Sequence, residues 1–248
     1  MSFIDWYYQY QDWIMLVCMF ITIALILLVF YSLKKMGVDV LYTRKGIHIS
    51  AGCYSFFWLM ASDSQWARWI AAIPPAVFVL VFLLIGFKLI PAKSLVDSMS
   101  RTGEPFDLVK GTLFYSIIMT LICIFIWKEQ PWGLIAIMVV AWGDGLAPIV
   151  GQNFGKIKYK SLSGSEKTLE GSLTMFLVSV VFSYVICLAF GFQVFSMTNW
   201  LWGKILILVL AGTIVEGLSP TDIDNIMVPL TVVLLSWAFG LYWLNPLA

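Results

Sequence analysis

Asp144 stands between Gly143 and Gly145, at the end of an apolar stretch that carries no other charge after Trp132. A carboxylate this close to hydrocarbon is costly unless it is hydrated, paired or bound to a cation. Its flanking glycines let backbone or phosphate oxygens approach. One reading is a Mg²⁺ ligand serving a nucleotide; the other is a helix-end acid hydrated at the membrane interface. Next comes Gly151-Gln152-Asn153-Phe154-Gly155-Lys156, followed by Lys158, Lys160 and Lys167. The glycines have one residue too few between them for GxxxxGK[ST], and Ile157 stands where a hydroxyl residue would be needed, so this is not a Walker motif. Such a loop can still offer N–H groups and ammonium charge to phosphates, although a basic loop is also what membrane topology demands.

Further on, Ser163-x-x-Glu166 matches a capping box and predicts that the sixth helix starts there. Lys167, Glu170 and Gly171 would then share a face at i, i+3 and i+4. A helix N-terminus favours anions, with Lys167 as a donor and Glu170 holding a cation between phosphates; an exposed Lys-Glu pair is the plainer reading. Arg44-Lys45-Gly46-Ile47-His48 is expected to open the second helix, where cations oppose the macrodipole unless an anion binds between them. Topology accounts for Arg44 and Lys45 but not for His48, the only histidine. Glu216 is expected to end the seventh helix, where a carboxylate is disfavoured by the dipole. Asp222-Ile223-Asp224-Asn225 lies at the mouth of the eighth. These acids either cap the last helix or join Asp144 and Glu170 around metal ions. Arg101-Thr102-Gly103-Glu104-Pro105 through Lys110-Gly111 adds another acid and two bases before the fourth helix.

The elements that must position these groups are membrane helices. The 248 residues are 61% hydrophobic and 12% charged, with a mean hydropathy of +0.92, whereas soluble chains carry about 25% charged residues. Apolar runs predict an all-α polytopic membrane protein of about eight transmembrane helices, near 13 to 33, 46 to 61, 66 to 87, 111 to 127, 132 to 149, 170 to 190, 201 to 215 and 226 to 244. With no repeat or linker, residues 1–248 read as one integral membrane domain. The first run, from Trp13 to Leu33, is too long for a cleavable signal and is expected to be retained.

If both termini lie outside, 12 of the 15 basic residues fall inside and only Arg68, Lys128 and Lys204 outside, as the positive-inside rule requires. Acids are not placed by that rule, yet all but Asp5, Asp12, Asp63 and Glu129 fall on the same inner face. That bias points to a site there. A net charge of +1 argues neither for nucleic acid nor for an acidic partner, and no nucleic-acid partner is expected. Cys18, Cys53, Cys123 and Cys187 sit in apolar runs without metal spacing and read as packing residues.

Taken together, these motifs resemble the CTP-dependent lipid-alcohol kinases (phytol, polyprenol and dolichol kinases) of the cytidylyltransferase-like membrane superfamily. The resemblance is carried by Arg44-Lys45-x-x-His48, Glu104 with Lys110-Gly111, Gly143-Asp144-Gly145-x-Ala147-x-x-x-Gly151-x-x-x-Gly155-Lys156, Glu166-Lys167-Thr168-x-Glu170-Gly171-Ser172, and Glu216 with Asp224-Asn225. It implies phosphoryl transfer from CTP to an isoprenoid alcohol at the cytoplasmic surface of a cell or endoplasmic reticulum membrane. Substrates would be a nucleotide and a lipid alcohol, among membrane lipids. Asp144 with Glu170 or Asp224 would hold Mg²⁺. Arg44, Lys45, Lys110, Gly151, Gly155, Lys156, Lys167, Gly171 and Asn225 would bind nucleotide and phosphates. Glu216, Asp224 or His48 would orient or deprotonate the alcohol, a choice the sequence leaves open. A CTP:lipid-phosphate cytidylyltransferase and a CTP-dependent diacylglycerol kinase are the alternatives. A transporter would need ionisable groups or broken helices near the midplane, where this chain places few.

Overall fold

The computed structural model describes residues 2–220 and 223–240. The expected run of the eighth helix to 244, the C-terminus placed outside, and Asp222 lie outside the described residues. A helix is found at each of the eight expected positions: α1 (Phe3–Lys35), α2 (Val40–Cys53), α3 (Gln65–Gly86), α5 (Gly111–Phe125), the pair α6 (Pro131–Met138) and α7 (Asp144–Phe154), α8 (Leu169–Ala189), α9 (Leu201–Leu218) and α10 (Asp224–Ala238). Among the described residues six are long and apolar enough to cross a membrane, counting α6 and α7 as one. Of the other two, α2 carries Arg44, Lys45 and His48 and runs on as a tighter 3₁₀ turn over Tyr54–Met60, and α10 is described for 15 residues.

The loop expected between 88 and 110 contains a short helix α4 (Lys93–Met99) and a 3₁₀ turn over Pro105–Val109. The other long loop forms a small hairpin, β1 (Lys158–Lys160) against β2 (Glu166–Thr168), antiparallel with Tyr159 opposite Lys167. This overturns the capping box. Ser163 lies in the hairpin turn, where its hydroxyl meets those of Ser161 and Ser165. The sixth-position helix, α8, is capped instead by Thr168, whose Oγ1 accepts from Gly171 N at 3.1 Å. Thr168 serves because its extended backbone aims the side-chain oxygen at the first-turn N–H groups.

The segment α6–α7 is the axis of the bundle, with Leu134, Ile135, Ala136, Met138 and Val139 fully buried. It packs against α2, α8, α9 and α10, while α1, α3 and α5 form a second group on the α2 side. Where α6 passes into α7 the helix widens into a π turn over Val139–Gly143, immediately before Asp144. Such turns loosen the helical hydrogen-bond ladder and often sit at functional sites.

Two expectations about helix ends change with these boundaries. Asp39 caps α2 by accepting from Leu41 N at 2.7 Å. Arg44, Lys45 and His48 therefore lie inside the helix rather than at its start. The opposition to the dipole inferred for them falls away, because that effect is confined to the first turn. Likewise Gly151 to Phe154 are the last turn of α7 rather than a loop.

Candidate active site

Four elements converge on Asp144, which is 6% exposed. Lys45, from α2, donates to the Asp144 carboxylate at 2.8 Å and to the Asp144 carbonyl at 2.7 Å. That carbonyl is free for a reason written in the chain: Pro148, four residues on, has no N–H to give it. His48, one helical turn after Lys45, meets the carbonyl of Val140 through Nε2 at 2.9 Å. Its ring packs on Tyr115 with centroids 4.3 Å apart. Donation from Nε2 to Val140 O satisfies a carbonyl of the widened turn. The same nitrogen lies 3.4 Å from Asp144 Oδ2. His48 thus holds the π turn in shape and is placed to orient Asp144.

A second lysine makes the same two-point grip on a second acid. Lys167, from β2, donates to the Glu216 carboxylate at 2.6 Å and also to the carbonyl of Glu216. Glu216 stands in the last turn of α9, where carbonyls lack helical donors and a lysine can cap them. Asp224, at the first turn of α10, has only local donors among the described residues: its Oδ1 accepts from Asn225 N at 2.9 Å and from Asn225 Nδ2 at 3.3 Å. Pro229 frees the Asn225 carbonyl as Pro148 frees that of Asp144.

The outcome is one cluster. Asp144, Glu216 and Asp224 each bring a carboxylate oxygen within 4.8 Å of the other two. Three carboxylates gathered in a buried place, with only two of them gripped by a lysine, leave carboxylate oxygens available, and hard oxygen donors of this kind suit a divalent cation such as Mg²⁺. Asn225 Oδ1 is buried beside them without a hydrogen-bond partner, a further oxygen available to a ligand. The donor set therefore fits the cation.

A cleft of about 1020 Å³ opens on this cluster. Its polar end holds Asp144, Asp224, Asn225, Lys45, His48, Arg44 and Arg101; its remainder is apolar, between α1, α2, α3 and α5. Beside it lies a second cleft of about 500 Å³ lined by Arg44, Arg101, Thr102, Asp107, Lys110 and Thr112. Asp107 builds that wall: its Oδ2 accepts from Ser100 Oγ, Thr102 N and Thr102 Oγ1 at 2.8 to 3.0 Å, and Lys110 pairs with it at 3.6 Å.

Other residues singled out in the sequence are placed elsewhere. Glu170 stays outside the carboxylate cluster; both its oxygens accept from Ile157 N at 3.3 Å, which ties the start of α8 to the hairpin. Lys156 is exposed. The Gly155 N–H is used by Gly151 O at 3.1 Å, closing the last turn of α7. A helix C-terminus presents carbonyls and so does not favour phosphate. Gly151 and Gly171 instead let helices touch. A Cβ on Gly171 would stand 2.9 Å from Ala147 O, and one on Gly151 would stand 2.7 Å from Thr168 Oγ1. Of the expected phosphate ligands, the structure brings Arg44, Lys45, Lys167 and Asn225 to the cluster or its cleft and Lys110 to the adjoining one. Sequence reading passed over Pro148, Pro229 and Tyr115. The two prolines carried a signal, since each stands four residues after a site residue. Tyr115, inside an apolar run, carried none.

The chain is similar to plant proteins named phytol kinase. It is 33% identical over 224 residues to phytol kinase 1, chloroplastic, of Arabidopsis thaliana, a match covering 87% of this chain and 72% of that one. It is 32% identical over 219 residues to a probable phytol kinase 2, chloroplastic, of Oryza sativa subsp. japonica, covering 84% and 70%. With a probable phytol kinase, chloroplastic, of Zea mays it shares 31% identity over 200 residues, 79% of this chain but 65% of the relative. Against the maize protein the chain thus spans slightly less than two thirds of the relative's length. No protein-family model and no solved structure matches the chain.

Proposed function

Because the chain belongs to the phytol and polyprenol kinase-like family, we propose that it is a membrane-embedded kinase that transfers the γ-phosphoryl group of CTP to the hydroxyl of an isoprenoid alcohol. The observation that carries this reading is the apolar cleft whose polar end holds Asp144 and Asp224, two members of the carboxylate cluster that Glu216 completes. An amphiphilic alcohol laid in that cleft has its chain among helices and its hydroxyl at the carboxylates. Phosphoryl transfer asks of a protein mainly positioning and charge neutralisation, and the cleft with its lysine-held carboxylates supports that reading.

Asp144 and Glu216, each held by a lysine through side chain and carbonyl, would hold Mg²⁺, with Asn225 Oδ1 close by. Bound there, the ion would neutralise phosphate charge and orient the transferred group. Lys45 and Lys167 each use two of three ammonium hydrogens on their acids, which leaves one apiece for a phosphate oxygen. Arg44, Arg101 and Lys110 line the adjoining cleft and would take the rest of the triphosphate. Asp224 lines the acceptor cleft and is not engaged by a lysine, so it is the group to accept the hydroxyl proton as the oxygen attacks the γ-phosphorus. His48 positions Asp144 and does not serve as base. CTP as donor rests on the resemblance of the motifs, and the assignment of the site to the cytoplasmic face rests on the positive-inside count.

The experiment is product analysis. Purified protein given Mg²⁺, CTP labelled on the γ-phosphate and a prenyl alcohol should yield CDP and labelled prenyl phosphate. In a parallel reaction given prenyl phosphate in place of the alcohol, release of pyrophosphate with a CDP-lipid, together with no transfer to the alcohol, would overturn the kinase reading in favour of a cytidylyltransferase. Replacing the prenyl alcohol with diacylglycerol separates the remaining acceptor class.

A further inference from the structure

The apolar part of the cleft is blind, and its depth agrees on several helices. Along α2 and the 3₁₀ turn that continues it the lining runs from Arg44 to Tyr54, on α3 from Phe82 to Pro74, and on α5 from Gly111 to Met119. At 1.5 Å per residue these stretches measure about 15, 12 and 12 Å. α3 runs opposite to α2 and α5, so the agreement marks one level in the bundle. That level is close to the middle of a hydrocarbon layer about 30 Å thick.

Tyr54 closes the cleft there. It is 5% exposed, and its hydroxyl is pinned to two helices, donating to Ala71 O at 3.4 Å and meeting Cys123 Sγ at 2.6 Å. Behind it stand Trp58 and Trp127, both essentially fully buried, with ring centroids 5.0 Å apart. Met119 completes the same level and is 3% exposed. A chain descending from the carboxylates therefore meets a fixed aromatic wall instead of an open channel to the opposite leaflet.

Resting on the kinase reading above, we infer that Tyr54 is the floor of the acceptor site and sets the length of isoprenoid chain the protein uses. The favoured acceptors are alcohols whose chains fit a blind cleft ending near mid-bilayer, and long polyprenols are used poorly. Ala51, one helical turn nearer the carboxylates and also in the lining, is the place where the floor can be raised by about 5 Å.

The test compares kcat/KM for geraniol, geranylgeraniol and a long polyprenol in mixed micelles, with saturating CTP. Removing or adding apolar bulk in a pocket changes discrimination by roughly 10- to 200-fold. Tyr54→Ala is expected to raise the ratio of long polyprenol to geranylgeraniol at least about tenfold, while Tyr54→Phe, which keeps the ring, keeps the ratio of the parent protein. Ala51→Leu is expected to shift use from geranylgeraniol toward geraniol, and it serves where Tyr54→Ala does not fold. Unchanged length ratios in folded, active Tyr54→Ala or Ala51→Leu protein would overturn the floor while leaving the kinase reading intact. If the parent protein phosphorylates no prenyl alcohol of any length, both are overturned.

Discussion

Replacing Asp144 with Asn separates a carboxylate kept for catalysis from one kept for stability. The side chains of Asp144 and Lys45 are each 8% exposed and 2.8 Å apart. With an effective dielectric of about 20, that attraction is about 6 kcal/mol. Against it stand Glu216 and Asp224, with oxygens within 4.8 Å of that of Asp144. Each repulsion is about 3.5 kcal/mol at that distance, so the two relieved repulsions match or exceed the lost attraction. Asn also keeps an oxygen for Lys45. The expectation is a near-neutral change in stability without ligand, within about 2 kcal/mol, where breaking an isolated buried ion pair costs about 3–5 kcal/mol. Turnover should fall by at least about a hundredfold, the scale of losing one electrostatic contact in a transition state. The assay is thermal unfolding in detergent with and without Mg²⁺ and CTP, beside phosphorylation rates. Ligand at a hundred times its Kd stabilises the parent protein by about 2.7 kcal/mol, and the variant should lose most of that. A ligand-free loss above about 3 kcal/mol would show that the carboxylate is there to pair Lys45. An undiminished response to Mg²⁺ and CTP would show that the cluster is not the cation site.

Lys45→Met is the contrasting case: it removes the attraction and keeps the repulsions, so a loss of about 3–5 kcal/mol is expected in the same unfolding assay. If His48 positions Asp144 through Val140, His48→Gln, which retains an amide donor, should keep much more turnover than His48→Leu; equal loss in both would point to the imidazole as base. Gly171→Ala would place a methyl 2.9 Å from Ala147 O, and overpacking of this kind costs about 1–3 kcal/mol. Its expected signature is a lower unfolding temperature with an unchanged KM for CTP, whereas a phosphate-binding glycine would raise KM first. Glu170→Gln, outside the carboxylate cluster, should retain turnover within a few-fold, and a hundredfold loss would restore it to the metal site.

The sequence by itself determined the helices and the face that carries the site. Long apolar runs can satisfy their backbone polar groups in hydrocarbon only by coiling, so eight positions were legible from composition alone. The acids gathered on one face without topological need singled out Asp144, Glu170, Glu216 and Asp224. It also carried, unread, the two prolines that free the carbonyls of Asp144 and Asn225. Which acids meet was a tertiary decision. Asp144, Glu216 and Asp224 lie on α7, α9 and α10, and only the packing of those helices around the central segment brings their oxygens within 4.8 Å. Glu170 was excluded by a local event spacing could not show: the loop folded as a hairpin, Thr168 took over the cap, and Glu170 turned to Ile157 N. Lys167, three residues away, was carried by the same hairpin to Glu216. The blind end at Tyr54 belongs to the tertiary structure for the same reason, since a floor exists only where side chains from α2, α3 and α5 reach one depth.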